Sequence, residues 1–80
     1  GSMKKEIEIR DWLFYGSGKD LKNQILAKMR YGAEEISGSL EIKSKRKAIF
    51  RAQSPVGPIA SGQSIVFYKG DRVIGGGIVE

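Results

Sequence analysis

The stretch VFYKGDRVIGGGIV, residues 66–79, decides how the chain folds. Val66-Phe67-Tyr68 runs through Lys69-Gly70-Asp71 into Val73-Ile74, and Gly-Asp between two apolar runs is turn chemistry, so the stretch reads as a β-hairpin. Its second arm then carries Gly75, Gly76 and Gly77 where packing side chains are expected. Glycine weakens a strand unless a bulge, a corner or the close passage of another backbone needs the room. A small, tightly curved β-barrel supplies that need.

Outward from this hairpin the same style continues. Turn residues fall at Gly16-Ser17-Gly18, Gly32, Gly38, Ser44, Ser54-Pro55, Gly57-Pro58 and Ser61-Gly62, a spacing that suits many short strands. Ile36, Gly38, Leu40 and Ile42 alternate with Ser37, Ser39 and Glu41, and Ile7 and Ile9 alternate with Glu6, Glu8 and Arg10, giving one apolar and one wet face. Near Arg10 and Asp11 the phase slips, because Trp12 and Phe14 become the apolar pair, which predicts a bulge or bend in a long first strand. LEIKSKRKAIF, residues 40–50, reads as a hairpin with its tip at Lys43 to Lys47. One segment reads two ways. In residues 19–32, Leu21, Ile25 and Met29 sit at helical spacing between a possible N-cap, Asp20, and a possible stop, Gly32, so the local pattern favours a helix. With period two, Ile25, Ala27, Met29 and Tyr31 share a face instead.

Composition narrows the chemistry. Eighty residues make one domain, which buries only about 60% of the surface its unfolded chain exposes. The chain has no cysteine and no histidine, which excludes disulfides, thiolate zinc sites and the usual general base. Its longest apolar runs, Trp12–Tyr15 and Ile65–Tyr68, are far below the roughly 20 residues that cross a bilayer as a helix, so the reading is a soluble, cytoplasmic chain without a membrane partner. Fourteen Lys and Arg against nine Asp and Glu give a net charge of +5, which favours a polyanionic partner. Gly1-Ser2 before Met3 reads as a cleavage scar and start methionine, leaving residues 4–80 as a single barrel domain and suggesting one piece of a longer chain.

Gly16-Ser17-Gly18-Lys19 resembles the end of a phosphate-binding loop, but Leu13 stands where the first glycine belongs and Asp20 where the metal-binding hydroxyl belongs, so it reads as a turn. The triple glycine is not followed by a helix whose N-terminus would complete an anion nest, and it reads as strand geometry. No serine has a histidine to activate it, and neither the carboxylates nor any other residues suggest a catalytic or metal site. The basic cluster is the informative feature. Lys43, Lys45, Arg46, Lys47 and Arg51 lie within nine residues, with Lys28 and Arg30 on a wet face elsewhere, and Lys69 and Arg72 as weaker candidates. Cations on a hairpin tip can follow a phosphate backbone without reading sequence. They equally suit a solvated turn that guards a sheet edge. Trp12, Phe50 and Phe67 lie in apolar alternation that suits a core rather than a base-stacking platform.

Gly62-Gln63 followed by VFYKGDRVIGGGIV resembles the end of the bacterial tRNA 2-thiouridylases, the tRNA-uridine 2-sulfurtransferases, in which a Pro-Gly-Gln turn leads to a Phe-Tyr strand, a Gly-Asp turn and a triple glycine. Lys28-Met29-Arg30-Tyr31 is similar to that family's Lys-Ile-Arg-Tyr strand, and Asp11-Trp12 to its Asn-Trp pair, with aspartate in place of asparagine. Ser61 stands where the family has proline, and Gly32 follows Tyr31 where the family continues Arg-Gln. The resemblance implies an all-β chain: a small closed or partly open antiparallel β-barrel of about six strands, similar to the second domain of translation elongation factors. It implies that residues 24–31 form a strand, with Lys28 and Arg30 outward.

By the same resemblance the barrel is the non-catalytic, tRNA-contacting C-terminal domain of an enzyme that thiolates the wobble uridine of tRNA. Lys28, Arg30, Lys43, Lys45, Arg46, Lys47 and Arg51 are then the expected phosphate contacts, and Gly62, Gln63, Gly70, Gly75, Gly76 and Gly77 give shape. ATP with magnesium, and the paired cysteines of sulfur transfer, belong to a preceding catalytic domain, so no cofactor is expected in this chain. Its partners are tRNA and that catalytic domain, and alone it is expected to be monomeric. The alternative is a structural or protein-interaction barrel that braces the catalytic domain without binding RNA, and an exposed apolar patch would favour it.

Overall fold

The computed structural model describes residues 4–29 and 34–80, which form a closed barrel of six strands: β1 (Lys4–Phe14), β2 (Ile25–Met29), β3 (Glu35–Ser44), β4 (Lys47–Val56), β5 (Ser64–Lys69) and β6 (Arg72–Val79). The order around the barrel is β1-β4-β3-β2-β5-β6, and every neighbouring pair is antiparallel. The two predicted hairpins are present, with β3 and β4 joined through Lys45-Arg46 and β5 and β6 through Gly70-Asp71.

Inward alternation builds the core: Ile7, Ile9 and Trp12 from β1, Ile25 and Ala27 from β2, Leu40 from β3, Ala48, Phe50 and Ala52 from β4, Ile65 and Phe67 from β5, and Ile74 and Val79 from β6. Phe67 sits at its centre, edge-on to Trp12 with ring centroids 5.5 Å apart and tilted against Phe50 at 5.2 Å. Such pairs add about 0.5–1.5 kcal/mol each beyond their buried area. Ile42, expected on this inner face, is 38% exposed, because it lies beyond Gly38, where the pairing of β3 with β2 ends.

The phase slip in the first strand is a bulge. Asp11 adopts a left-handed backbone (φ 52°), the β1–β6 register shifts between Arg10 and Leu13, and the Trp12 N–H donates to the Arg46 carbonyl at the hairpin tip. Asn and Asp are the residues that tolerate this conformation best after glycine, which explains why aspartate can stand here in place of asparagine. The bulge lets one strand serve two neighbours, β4 along its first half and β6 along its second.

That second seam explains the glycines. A Cβ on Gly75 would lie 2.6 Å from the Leu13 carbonyl oxygen and 2.9 Å from Cη2 of Trp12, and one on Gly77 would lie 2.8 Å from the Arg10 carbonyl oxygen. On the other side, a Cβ on Gly76 would lie 2.9 Å from the Ile65 carbonyl oxygen. Main chain from both neighbouring strands occupies the space side chains would need. Gly62 and Gln63 hold the end of the same strand: the Gly62 N–H donates to the Val79 carbonyl and the Val79 N–H to the Gln63 carbonyl, both at 2.8 Å. Gly62 and Gly70 have positive φ, 91° and 63°.

The locally favoured helix over residues 20–31 does not form across the described part of that range. Gly18–Leu21 is a single 3₁₀ turn, Asn23 takes a left-handed backbone (φ 63°), and Ile25–Met29 is strand β2, paired with β3 and β5. Two partner strands outweigh a helical spacing of three apolar residues, since helical propensity is a weak preference that tertiary pairing overrides. Arg30 and Tyr31 lie outside the described residues.

Candidate nucleic-acid interface

Strict up-and-down alternation sorts the connections by pole. Residues 15–24, the Lys45-Arg46 turn and the Gly70-Asp71 turn all lie at one end of the barrel, while residues 57–63 and the start of β1 lie at the other; Glu80, bonded to Glu8 on β1, is within reach of Lys47. The first pole, with its flanking residues, carries Lys19, Lys22, Lys43, Lys45, Arg46, Lys47, Lys69 and Arg72 against Asp11, Asp20, Glu41, Asp71 and Glu80. Sequence reasoning found the hairpin cations but passed over Lys19 and Lys22, because their cluster with the β5–β6 turn exists only once the strands alternate.

Four of the predicted hairpin cations are held by carboxylates. Arg46 Nη2 lies 3.0 Å from Asp11 Oδ1, Lys47 Nζ 3.0 Å from Glu80 Oε1, and Lys43 Nζ 3.4 Å from Glu41 Oε2. Arg51 donates to Glu6, at 2.9 Å, and to Glu41, two carboxylates that flank it on adjacent strands. The Arg51 hydrogen bond, and then that of Lys43, holds the Glu41 carboxyl below its usual range, while Glu41 and Glu6 raise the Arg51 guanidinium. Among the described residues Lys45 forms no ion pair, nor do Lys19 and Lys22. Exposed ion pairs contribute little to stability and exchange readily for another anion, so this paired state leaves the cations available to phosphate.

Lys28 stands apart from this group. Its Nζ is 3.5 Å from Glu35 Oε2 and 5.6 Å from the Tyr68 ring centroid, and the Glu35–Lys43 span along β3 is roughly 25 Å at strand rise. Arg30 lies outside the described residues. The structure therefore gathers Lys43, Lys45, Arg46, Lys47 and Arg51 on one hairpin and leaves Lys28 on another wall.

On the opposite side of the same pole, Arg72 clamps the 3₁₀ turn to the β5–β6 turn. Its Nη1 and Nη2 donate to the two Asp20 carboxylate oxygens, at 3.2 and 2.5 Å, and Oδ2 also accepts from the Ser17 N–H at 2.9 Å. These bonds, led by Arg72, hold the Asp20 carboxyl at about 2, well below its ordinary value. Lys69 Nζ adds donations to the carbonyls of Lys22 and Gln24. This clamp also tests the phosphate-loop resemblance of Gly16-Ser17-Gly18-Lys19. The Asp20 carboxylate takes the Ser17 N–H that a phosphate would need, which suits the turn reading. Among the described residues no helix is long and apolar enough to cross a membrane.

Comparison with known proteins follows the geometry. Residues 4–79 match the family model described as the aminomethyltransferase beta-barrel domain. The chain is 42% identical over 57 residues to a tRNA-specific 2-thiouridylase, MnmA 1, of Caldanaerobacter subterraneus subsp. tengcongensis, covering 71% of this chain and 16% of that protein. It is 32% identical over 75 residues to the tRNA-specific 2-thiouridylase MnmA of Chlamydia felis, covering 94% of this chain and 20% of that protein. A third relative, a 2-thiouridylase of Thermoanaerobacter pseudethanolicus, is 39% identical over 57 residues. The chain thus spans a fifth or less of the length of these relatives.

Proposed function

The chain belongs to the aminomethyltransferase β-barrel domain family, and from that premise we propose that it is the non-catalytic, tRNA-contacting barrel of a tRNA 2-thiouridylase-like protein. One observation carries the reading: alternation of six strands collects Lys19, Lys22, Lys43, Lys45, Arg46, Lys47, Lys69 and Arg72 at one pole, where they outnumber the carboxylates Asp11, Asp20, Glu41, Asp71 and Glu80. Such a surface neutralises phosphates without reading bases, so binding is tolerant of sequence and weakens with added salt, by a slope of roughly 0.9 per phosphate neutralised on a double-logarithmic plot. The barrel positions tRNA. In this reading ATP, magnesium and the sulfur-transferring groups belong to other parts of the parent protein.

The test is amide chemical-shift mapping of the 80-residue chain titrated with tRNA at two salt concentrations. Perturbations at residues 19–22, 43–47 and 69–72 that shrink at the higher salt are expected, and Lys22→Glu with Lys45→Glu should weaken them at both sites. Perturbations confined to the opposite pole, or none at the lower salt, would overturn the proposal.

A further inference from the structure

The two sides of the barrel wall differ in what they turn outward. Across β1, β4 and β3 the outward rows are Glu6–Arg51–Ser39, Glu8–Ile49–Glu41 and Arg10–Lys47–Ser44, a surface of both charge signs with Ile49 as its apolar member. Across β2, β5, β6 and the end of β1 the rows are Leu26–Tyr68–Val73 and Lys28–Val66–Gly76–Leu13, followed by Ser64–Ile78–Arg10. Every one of these apolar side chains alternates with a core residue, so none belongs to the barrel interior. Leu13 is 55% exposed, Tyr15 beside it 66% and Val73 44%. Gly76, without a side chain, keeps the surface flat between Leu13 and Val66.

We propose that this wall, formed by Leu13, Tyr15, Val66, Tyr68, Val73 and Ile78, is the surface on which another globular domain of the same polypeptide docks in proteins of the 2-thiouridylase type. The inference rests on the parentage proposed above, but on a different surface. Its composition is that of an interface core: aliphatic and tyrosine side chains at the centre, with the charged groups Lys28, Glu35 and Arg10 at the margin. Aliphatic rows offer nothing to phosphate, which argues for a protein occupant rather than RNA. In the relatives, the matched barrel is 16–20% of the chain, so each carries it beside at least four times as much other polypeptide. A domain seated on this wall reaches the rim of the basic pole at Tyr15 and Val73 and leaves the Lys43–Lys47 hairpin open, so docking and tRNA contact are compatible.

The experiment replaces the barrel of the full-length Chlamydia felis enzyme with this chain and follows thermal unfolding by calorimetry, with and without Leu13→Thr, Tyr15→Thr and Val73→Thr. The chimera with the unaltered wall should unfold with the barrel coupled to the remainder. The triple variant should show a separate barrel transition, at the temperature of the same variant studied as an isolated 80-residue chain. Control substitutions Lys22→Gln and Lys45→Gln should leave coupling intact, which separates a failure of docking from a failure of tRNA binding. Unchanged coupling in the triple variant overturns the proposal. So does concentration-dependent dimerisation of the isolated chain that the triple variant abolishes while the chimera shows no coupling, since the occupant would then be a second copy. If the chimera does not fold, threonine at the positions aligned with Leu13, Tyr15 and Val73 in the unaltered Chlamydia felis enzyme gives the same readout.

Discussion

The wall of β1, β4 and β3 and the wall of β5 and β6 are built from the same strand geometry, yet they solve the outward half of each strand in opposite ways. On the first wall, alternate positions carry charges that pair across strands, as Arg51 does with Glu6 and Glu41. On the second, alternate positions are Val66, Tyr68, Val73 and Ile78. The contrast teaches that the inward pattern makes the barrel, while the outward pattern is free to vary and records what each side meets.

The largest way to disturb this contrast is through the glycines beneath the apolar wall. Gly75→Ala puts a methyl group against the Leu13 carbonyl and the Trp12 ring, and overpacking of this kind costs about 1–3 kcal/mol. A clear drop in the urea midpoint is expected. An unchanged midpoint would mean that β1 and β6 can separate without loss, and the flat wall would lose its foundation.

A smaller effect comes from acid. The Asp20 carboxyl titrates at about 2 in the folded chain against 3.8 ordinarily, a lowered value, so its contribution is fully present above about pH 4 and is lost as pH falls towards 2. Arg72→Gln should weaken that dependence. Thermal melts of both proteins between pH 5 and 2 should converge at the acid end, and parallel curves would show that the clamp does not bind the 3₁₀ turn to the β5–β6 turn.

The smallest effect is expected on the charged wall. Arg51→Gln removes two exposed ion pairs and should leave the unfolding midpoint almost in place, because such pairs are offset by hydration and side-chain entropy. A shift comparable to that of Gly75→Ala would show that these charges are structural rather than a surface available to other anions.

Much of the fold was legible from local chemistry. Gly70-Asp71 marked one hairpin and the Lys43–Lys47 tip the other, and the slip from Ile9 to Trp12 marked the bulge, because turns and alternation are written within a few residues. Residues 20–29 misled the local reading, since Leu21, Ile25 and Met29 at helical spacing favour a helix there; pairing with β3 and β5 makes Ile25–Met29 a strand instead. The surface was less legible. Arg46, Lys47 and Arg51 find Asp11, Glu80 and Glu6 at separations of 35, 33 and 45 residues, beyond any local pattern. The apolar wall was hidden for another reason: in Ile65-Val66-Phe67-Tyr68 both faces are apolar, and sequence alone does not say which two residues look outward.

The seam between Ile9 and Val79 joins positions 70 residues apart, almost the full contour of the chain. Topologies dominated by such distant pairings fold slowly, on the order of milliseconds to seconds, because loop closure must precede the contacts that reward it. During synthesis β1 therefore waits for its second neighbour until the last strand has left the ribosome, and the Ile65–Tyr68 run stays uncovered meanwhile. The polar Gln63 and Ser64 before that run and Lys69 after it are the residues that keep it from sticking through that interval.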